Sequence, residues 1–259
     1  MPIRYERSEG IATFTIDRPP VNAFTPALYK ELLDRLKEFI ADHDIRVGIL
    51  TGAGARAFSA GHDLKNPRPN WSKQEIAERH LRALNDSDIS DYPNWEHEVM
   101  RLTRFKPIVG AVNGPALGQG LMFLLQLTDL RVSAQSARFG LPEIRYGMGG
   151  AGGTLQLGHR IPETAALWLC LTGQSFDAQQ ALGYHLVNEV VPDDQVMKRS
   201  REIAQMIAEH PPTAVRVEME SYYRARDMTR EHAMAFSQHL FRLQRIATDT
   251  GTPIKIRRN

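Results

Sequence analysis

Residues 108–127 constrain the fold of this chain more than any other segment. Ile108-Val109-Gly110-Ala111-Val112 is a short apolar run of the length of a buried strand. Asn113-Gly114-Pro115 stops it, and Gly118-Gln119-Gly120 opens a second apolar run from Leu121 to Leu127. A strand that passes through glycines directly into an apolar helix needs cover on both elements. That demand is met by an α/β fold with mainly parallel strands and crossover helices.

The rest of the first half repeats this grammar. Val47-Gly48-Ile49-Leu50-Thr51 is another short buried strand, closed by Gly52-Ala53-Gly54. Ile11 to Ile16 alternates apolar and polar residues, as a strand with one covered face does, and Arg18-Pro19-Pro20 ends it. Thr25-Pro26 reads as a helix N-cap with proline at the first helical position, followed by Leu28, Leu32, Leu33, Leu36 and Phe39 on one face. Between Lys65 and Lys106 the pattern gives way to a polar stretch dotted with Trp71, His80, Tyr92, Trp95 and His97. From Ala178 onward helices dominate, and Asp194 to Glu209, Thr213 to Arg226 and Thr229 to Thr248 all carry apolar residues at spacings of three and four. The expected division is an α/β portion over 1–195 and a helical portion over 196–259, with no Gly/Ser linker between them.

Composition excludes several classes. At 259 residues the chain can bury a full core as one large domain or two small ones. Its 32 Lys and Arg against 30 Asp and Glu leave a net charge of +2, so no nucleic acid or acidic membrane is demanded as a partner. The single cysteine, Cys170, rules out a disulfide within the chain and suits a reducing cytoplasm. No apolar stretch reaches the roughly 18 residues of a membrane span, and the segment from Met1 to Arg7 is too polar for a signal peptide. The expectation is a soluble cytoplasmic protein. The sequence has no metal-ligand cluster, P-loop or dinucleotide fingerprint.

Two loops carry chemistry. A helix beginning near Gly118-Gln119-Gly120 aims free N–H groups and its positive dipole end at an anion or a carbonyl oxygen, and glycine lets a ligand approach the backbone. Ser59-Ala60-Gly61-His62-Asp63-Leu64 is a second small-residue loop after a strand and can supply a second N–H. Two donors converging on one oxygen form an oxyanion hole. Taken singly, each loop also reads as an ordinary connection.

In combination the motifs resemble a family. Ala57-Phe58-Ser59-Ala60-Gly61-His62-Asp63-Leu64, the run from Lys106 to Gly118, Asp129-Leu130-Arg131, Phe139-Gly140-Leu141-Pro142-Glu143, Gly149-Gly150-Ala151-Gly152-Gly153-Thr154 and Leu171-Thr172-Gly173 occur in the order of the enoyl-CoA hydratase/isomerase, or crotonase, superfamily. The resemblance implies a ClpP/crotonase-like spiral of ββα repeats with a helical C-terminal trimerisation region, assembled as a homotrimer or homohexamer. It implies an acyl-CoA thioester as substrate and no other cofactor. Carried over by position, the oxyanion donors are the N–H groups of His62 and Gln119, and Glu143 is the acid that moves protons. The His62 imidazole either lines the pocket or takes a local hydrogen bond. Arg18, Asn22, Ala23, Ala60, Gly61, Asp63, Leu64, Gly118, Gly120, Met122, Pro142 and Gly150 fall where the family binds the substrate and its coenzyme A, with Arg18, Val21-Asn22-Ala23 and the backbone near Ala60 at the nucleotide. A carboxylate in such a pocket has a raised pKa, which suits a group that both takes and gives a proton.

The chain departs from the family at one point. Hydratases of the family carry a second glutamate just past the glycine loop, where this chain has Leu121, Met122 and Phe123, and no acid occurs from Leu121 to Thr128. The resemblance therefore implies a one-glutamate enzyme, a double-bond isomerase or an atypical hydratase. Cleavage of a carbon–carbon bond, with His62, His80 or His97 in the pocket, is an alternative on the same fold. A non-catalytic scaffold that binds CoA esters or RNA is another.

Overall fold

The computed structural model describes residues 2–65, 72–81, 94–149 and 153–248. The chain begins with a hairpin, β1 (Ile3–Ser8) and β2 (Ile11–Ile16), followed by α1 (Pro26–Ala41) and β3 (Val47–Gly52). Helices α2 (Lys73–Leu81) and α3 (Asn94–Arg101) precede β4 (Ile108–Val112), β5 (Ala116–Leu117), α4 (Gln119–Leu127), β6 (Leu130–Ala134) and β7 (Arg138–Gly140). A 3-10 turn over Pro142–Tyr146 leads to α5 (Gly153–Gly158), α6 (Glu163–Thr172), β8 (Phe176–Asp177), α7 (Ala178–Gly183) and β9 (Glu189–Val191). The chain then continues as α8 (Val196–Ala208), α9 (Pro212–Ala225) and α10 (Arg230–Thr248).

The strands form a six-stranded sheet in the order β1-β2-β3-β4-β6-β9 and a three-stranded sheet in the order β5-β7-β8. Every pairing in the large sheet beyond the first hairpin is parallel, as the strand and helix alternation predicts. The alternation in β2 suggests one covered face, yet all six of its residues are buried. As an interior strand between β1 and β3 it is covered on both faces, and Thr13 and Thr15 lie inside as well.

Local signals explain the elements that frame the site. Thr25 caps α1 by accepting from the Leu28 N–H, and Pro26 occupies the first turn. Leu28, Leu32, Leu33, Leu36 and Phe39 are buried as their spacing predicts, and Tyr29 joins them. Each such side chain contributes about 1.5–3 kcal/mol on full burial. Helix α4 is apolar nearly all round, and eight of its nine residues are buried, so it runs through the interior. Of the C-terminal helices, α8 lies on β3, β4 and β6, while α9 and α10 pack on each other.

Asp129, just past α4, binds the C-terminal region to this core. Its carboxylate accepts from Arg104 Nη1 at 2.7 Å, from the Ile108 N–H at 2.7 Å and from the Tyr223 hydroxyl on α9 at 2.5 Å. In the stretch from 65 to 106, Trp95 packs against the core. Trp71, Tyr92, the side chain of His80 and Gly150 lie outside the described residues.

Candidate active site

The site is assembled where the two loops run side by side. Ser59 and Ala116 form a parallel β-bridge. The Ser59 N–H donates to Pro115 O at 3.1 Å, and the Leu117 N–H donates to Ser59 O at 2.9 Å. Ser59 is fully buried, and its hydroxyl donates to Asn22 O at 2.8 Å while accepting from the Gly61 N–H at 3.1 Å. One residue, through its side chain and its backbone, thereby joins three segments.

The two loops approach each other closely at Gly61. A Cβ on Gly61 would lie 2.7 Å from Leu117 O and 3.0 Å from the Gln119 nitrogen, so only glycine lets the loops approach this closely. Gln119 is the first residue of α4, and its N–H has no acceptor within the helix. The neighbouring Ala60 and Asp63 N–H groups donate to Val21 O and Phe24 O. His62 lies between them, with its backbone in a β-bridge to Phe24.

Glu143 reaches the same place from the opposite side. Strand β7 pairs with β5, Gly118 donates its N–H to Gly140 O at 2.9 Å, and the 3-10 turn beginning at Pro142 brings Glu143 around. A Cβ on Gly118 would lie 2.9 Å from Glu143 Oε1, and Gly118 has φ of 54°. The Glu143 side chain is half-buried, and its Oε2 is shielded from solvent with no hydrogen-bond partner. Burial pushes its carboxyl above the usual carboxylate range. A shielded carboxylate beside a helix N-terminus can take a proton from carbon while the peptide N–H groups hold the oxygen that gains charge.

Other residues singled out from sequence take definite places. The carboxamide of Asn22 donates to Ala53 O and Ala57 O and accepts from the Arg18 N–H, so it braces the loop. Arg18 donates to Ala23 O at 3.1 Å and pairs with Asp63 at 2.6 Å. Leu64 is 64% exposed, Met122 is buried, and Gly120 lies against Ser59. The imidazole of His62 takes the local hydrogen bond, its Nδ1 lying 2.8 Å from the Tyr29 hydroxyl.

Sequence reasoning missed Tyr29. Its ring stacks on Phe24 and meets Phe123 edge-on. A polar-tipped aromatic in the leucine stripe of α1 was the available signal. Leu121, Met122 and Phe123 are all buried, so the face of α4 that follows the glycine loop is apolar.

A family profile described as enoyl-CoA hydratase/isomerase matches residues 6–250. The chain belongs to this family. Among enoyl-CoA hydratase/isomerase relatives, the (E)-benzylidenesuccinyl-CoA hydratase of Thauera aromatica is 33% identical over 251 residues, covering 96% of this chain and 93% of the relative. The 2,3-dehydroadipyl-CoA hydratase of Escherichia coli is 36% identical over 241 residues, covering 92% and 88%. The crystal structure of an enoyl-CoA hydratase from Bacillus anthracis superimposes with a TM-score of 0.83 at 31% identity, covering 96% of this chain and 92% of the other. The fold is that of the crotonase superfamily. Among the described residues no helix is long and apolar enough to cross a membrane, and no cluster of His, Cys, Asp and Glu could hold a metal ion.

Proposed function

We propose that this enzyme acts on an enoyl-CoA thioester, holding its carbonyl oxygen with the N–H groups of His62 and Gln119 and transferring the proton at the α carbon with Glu143 alone. The observation that carries this reading is the Glu143 carboxyl, whose Oε1 packs against Gly118 at the start of α4 and whose Oε2 is shielded and unpartnered. Peptide donors fixed before reaction are worth about 3 kcal/mol each in acyl chemistry, and a positioned acid/base adds about 10²–10⁴-fold. Coenzyme A enters as part of the substrate, along the segment from Arg18 to Ala23 and the loop from Ala60 to Leu64.

Hydration and dehydration of the conjugated thioester are supported by the names of the relatives, which are hydratases and dehydratases. A second reading, migration of the double bond from the 3 to the 2 position, is favoured by the apolar face of α4. That reaction needs one base, which removes a proton at the α carbon and returns it at the γ carbon. A panel of 2-enoyl and 3-enoyl thioesters in heavy-oxygen water separates the two, because only hydration incorporates label. Undiminished turnover by Glu143→Gln would sink both.

Self-assembly as a homotrimer or homohexamer is part of this proposal. Ile144 and Tyr146 beside Glu143, Trp168 and Leu171 on α6, and Phe241, Leu243 and Ile246 on α10 are large apolar side chains left exposed in the single chain. Light scattering that returned a monomeric mass would remove it. The single cysteine fits a reducing, cytoplasmic setting.

A further inference from the structure

Two buried polar atoms at this site lack partners, and they are chemically complementary. Glu143 Oε2 is an acceptor without a donor, and Gln119 Nε2 is a donor without an acceptor. Gln119 is only 5% exposed. Buried amide groups are almost always hydrogen-bonded, so an orphaned donor on the residue after Gly118 and an orphaned oxygen on the carboxylate that packs against Gly118 mark a place for a group that satisfies both. A hydroxyl oxygen does so, giving its proton to the carboxylate and accepting from the amide on a lone pair.

Position supports the pairing. Gln119 is the first residue of α4, adjacent to Gly118, and Glu143 Oε1 packs against Gly118. The Cα–Cβ bonds of a helix lean toward its N-terminus, which for α4 is the end where Glu143 packs. Gln119 also shares a helix face with Met122, three residues on, one of the positions where an acid would otherwise stand. Phe123 is turned away into the rings of Phe24 and Tyr29.

We propose that the Gln119 carboxamide holds the oxygen that adds to the β carbon, replacing the missing second acid as the partner of Glu143. This rests on the reading of Glu143 given above. In the step, Glu143 takes one proton of the held water as its oxygen bonds to the β carbon, and the electrons of the double bond move toward the thioester oxygen. The same carboxyl then returns that proton to the α carbon. One water is consumed, and no oxidant or reductant is needed.

The test compares two reactions of one site. Exchange of the α proton of butyryl-CoA in deuterium oxide needs Glu143 and the oxyanion donors but no β oxygen, whereas hydration of crotonyl-CoA needs all of them. In Gln119→Met the ratio of hydration to exchange should fall at least tenfold, and Gln119→Asn, which keeps a donor, should fall less. An unmoved ratio in the methionine variant overturns the assignment, and so does a wild-type enzyme that exchanges but does not hydrate. Absence of exchange in the wild type instead removes the underlying reading of Glu143, and this assignment falls with it.

Discussion

A methyl group on Gly118 separates what this residue does for the fold from what it does for Glu143. Gly118 sits at φ 54° and ψ −128°, a conformation that side-chain-bearing residues adopt at a cost of about 1–3 kcal/mol. For a chain of this size that lowers the melting temperature by roughly 2–10 °C. The added Cβ meets Glu143 Oε1 at 2.9 Å, while ordinary contact begins beyond 3.4 Å. The relief is cheap for folding, because the carboxylate ends a flexible side chain and can swing aside. It is costly for chemistry, because a misplacement of about 1 Å reduces rate on the order of 10²-fold. Gly118→Ala is therefore expected to remain folded and lose about 10–100-fold in kcat. Gly61→Ala is the contrast, since its Cβ would press on Leu117 O and the Gln119 nitrogen, which are backbone atoms. That variant should lose stability and activity together. Parallel melting curves and α-proton exchange rates are the assay, and a Gly118→Ala enzyme with wild-type kcat would refute the placement of Glu143.

Glu143→Gln should lower turnover by about 10²–10⁴-fold, measured with any thioester the wild type accepts. The rate of the wild type should rise with pH through a value above the ordinary carboxylate range, since the base must be ionised and burial raises its pKa. The linked effect on stability has a definite sign. The folded pKa lies above the unfolded one, so the contribution of Glu143 is complete below the unfolded pKa and is lost as pH rises through the folded value. Glu143→Gln should therefore match the wild type in melting temperature in acid and exceed it at neutral pH. Tyr29→Phe removes the hydroxyl that meets His62 Nδ1 and should cost about 1 kcal/mol in urea unfolding. Asp129→Ala leaves Arg104, with its side chain 6% exposed, without its carboxylate and should cost about 3–5 kcal/mol by the same measurement.

How much of this was legible in the sequence follows from the range of each interaction. The α1 cap at Thr25, the strands ending at Gly52 and Val112, and the apolar α4 are set by neighbours along the chain, and residue type reveals them. The three-stranded sheet is not legible because β5 and β8 are only two residues long and exist through distant pairing. Glu143 was identified by resemblance, since a glutamate after proline carries no mark of burial. Its shielding depends on the contact of the turn with Gly118, 25 residues earlier in the chain. Asn22, which the resemblance puts at the coenzyme A grip, donates two long-range hydrogen bonds to backbone carbonyls, and Ser59, a small residue of a loop, donates one, and residue type encodes neither. The Tyr29 and His62 pair spans 33 residues, and no local pattern encodes it.

The bridge between Ser59 and Ala116 has a consequence for how this protein can change over evolutionary time. The proposed oxygen-binding groups are main-chain amides beside sheet-like pairings, so exchanging side chains at positions 62 and 119 leaves them in place. Only a proline, or the loss of a crowded glycine, can remove them. Under that reading, reaction type is free to drift through Glu143 and the first turn of α4 while the hold on the thioester stays constant. A lineage built this way can do without an acid after Gly120, where this chain has none, and keep the proposed hold on its substrate.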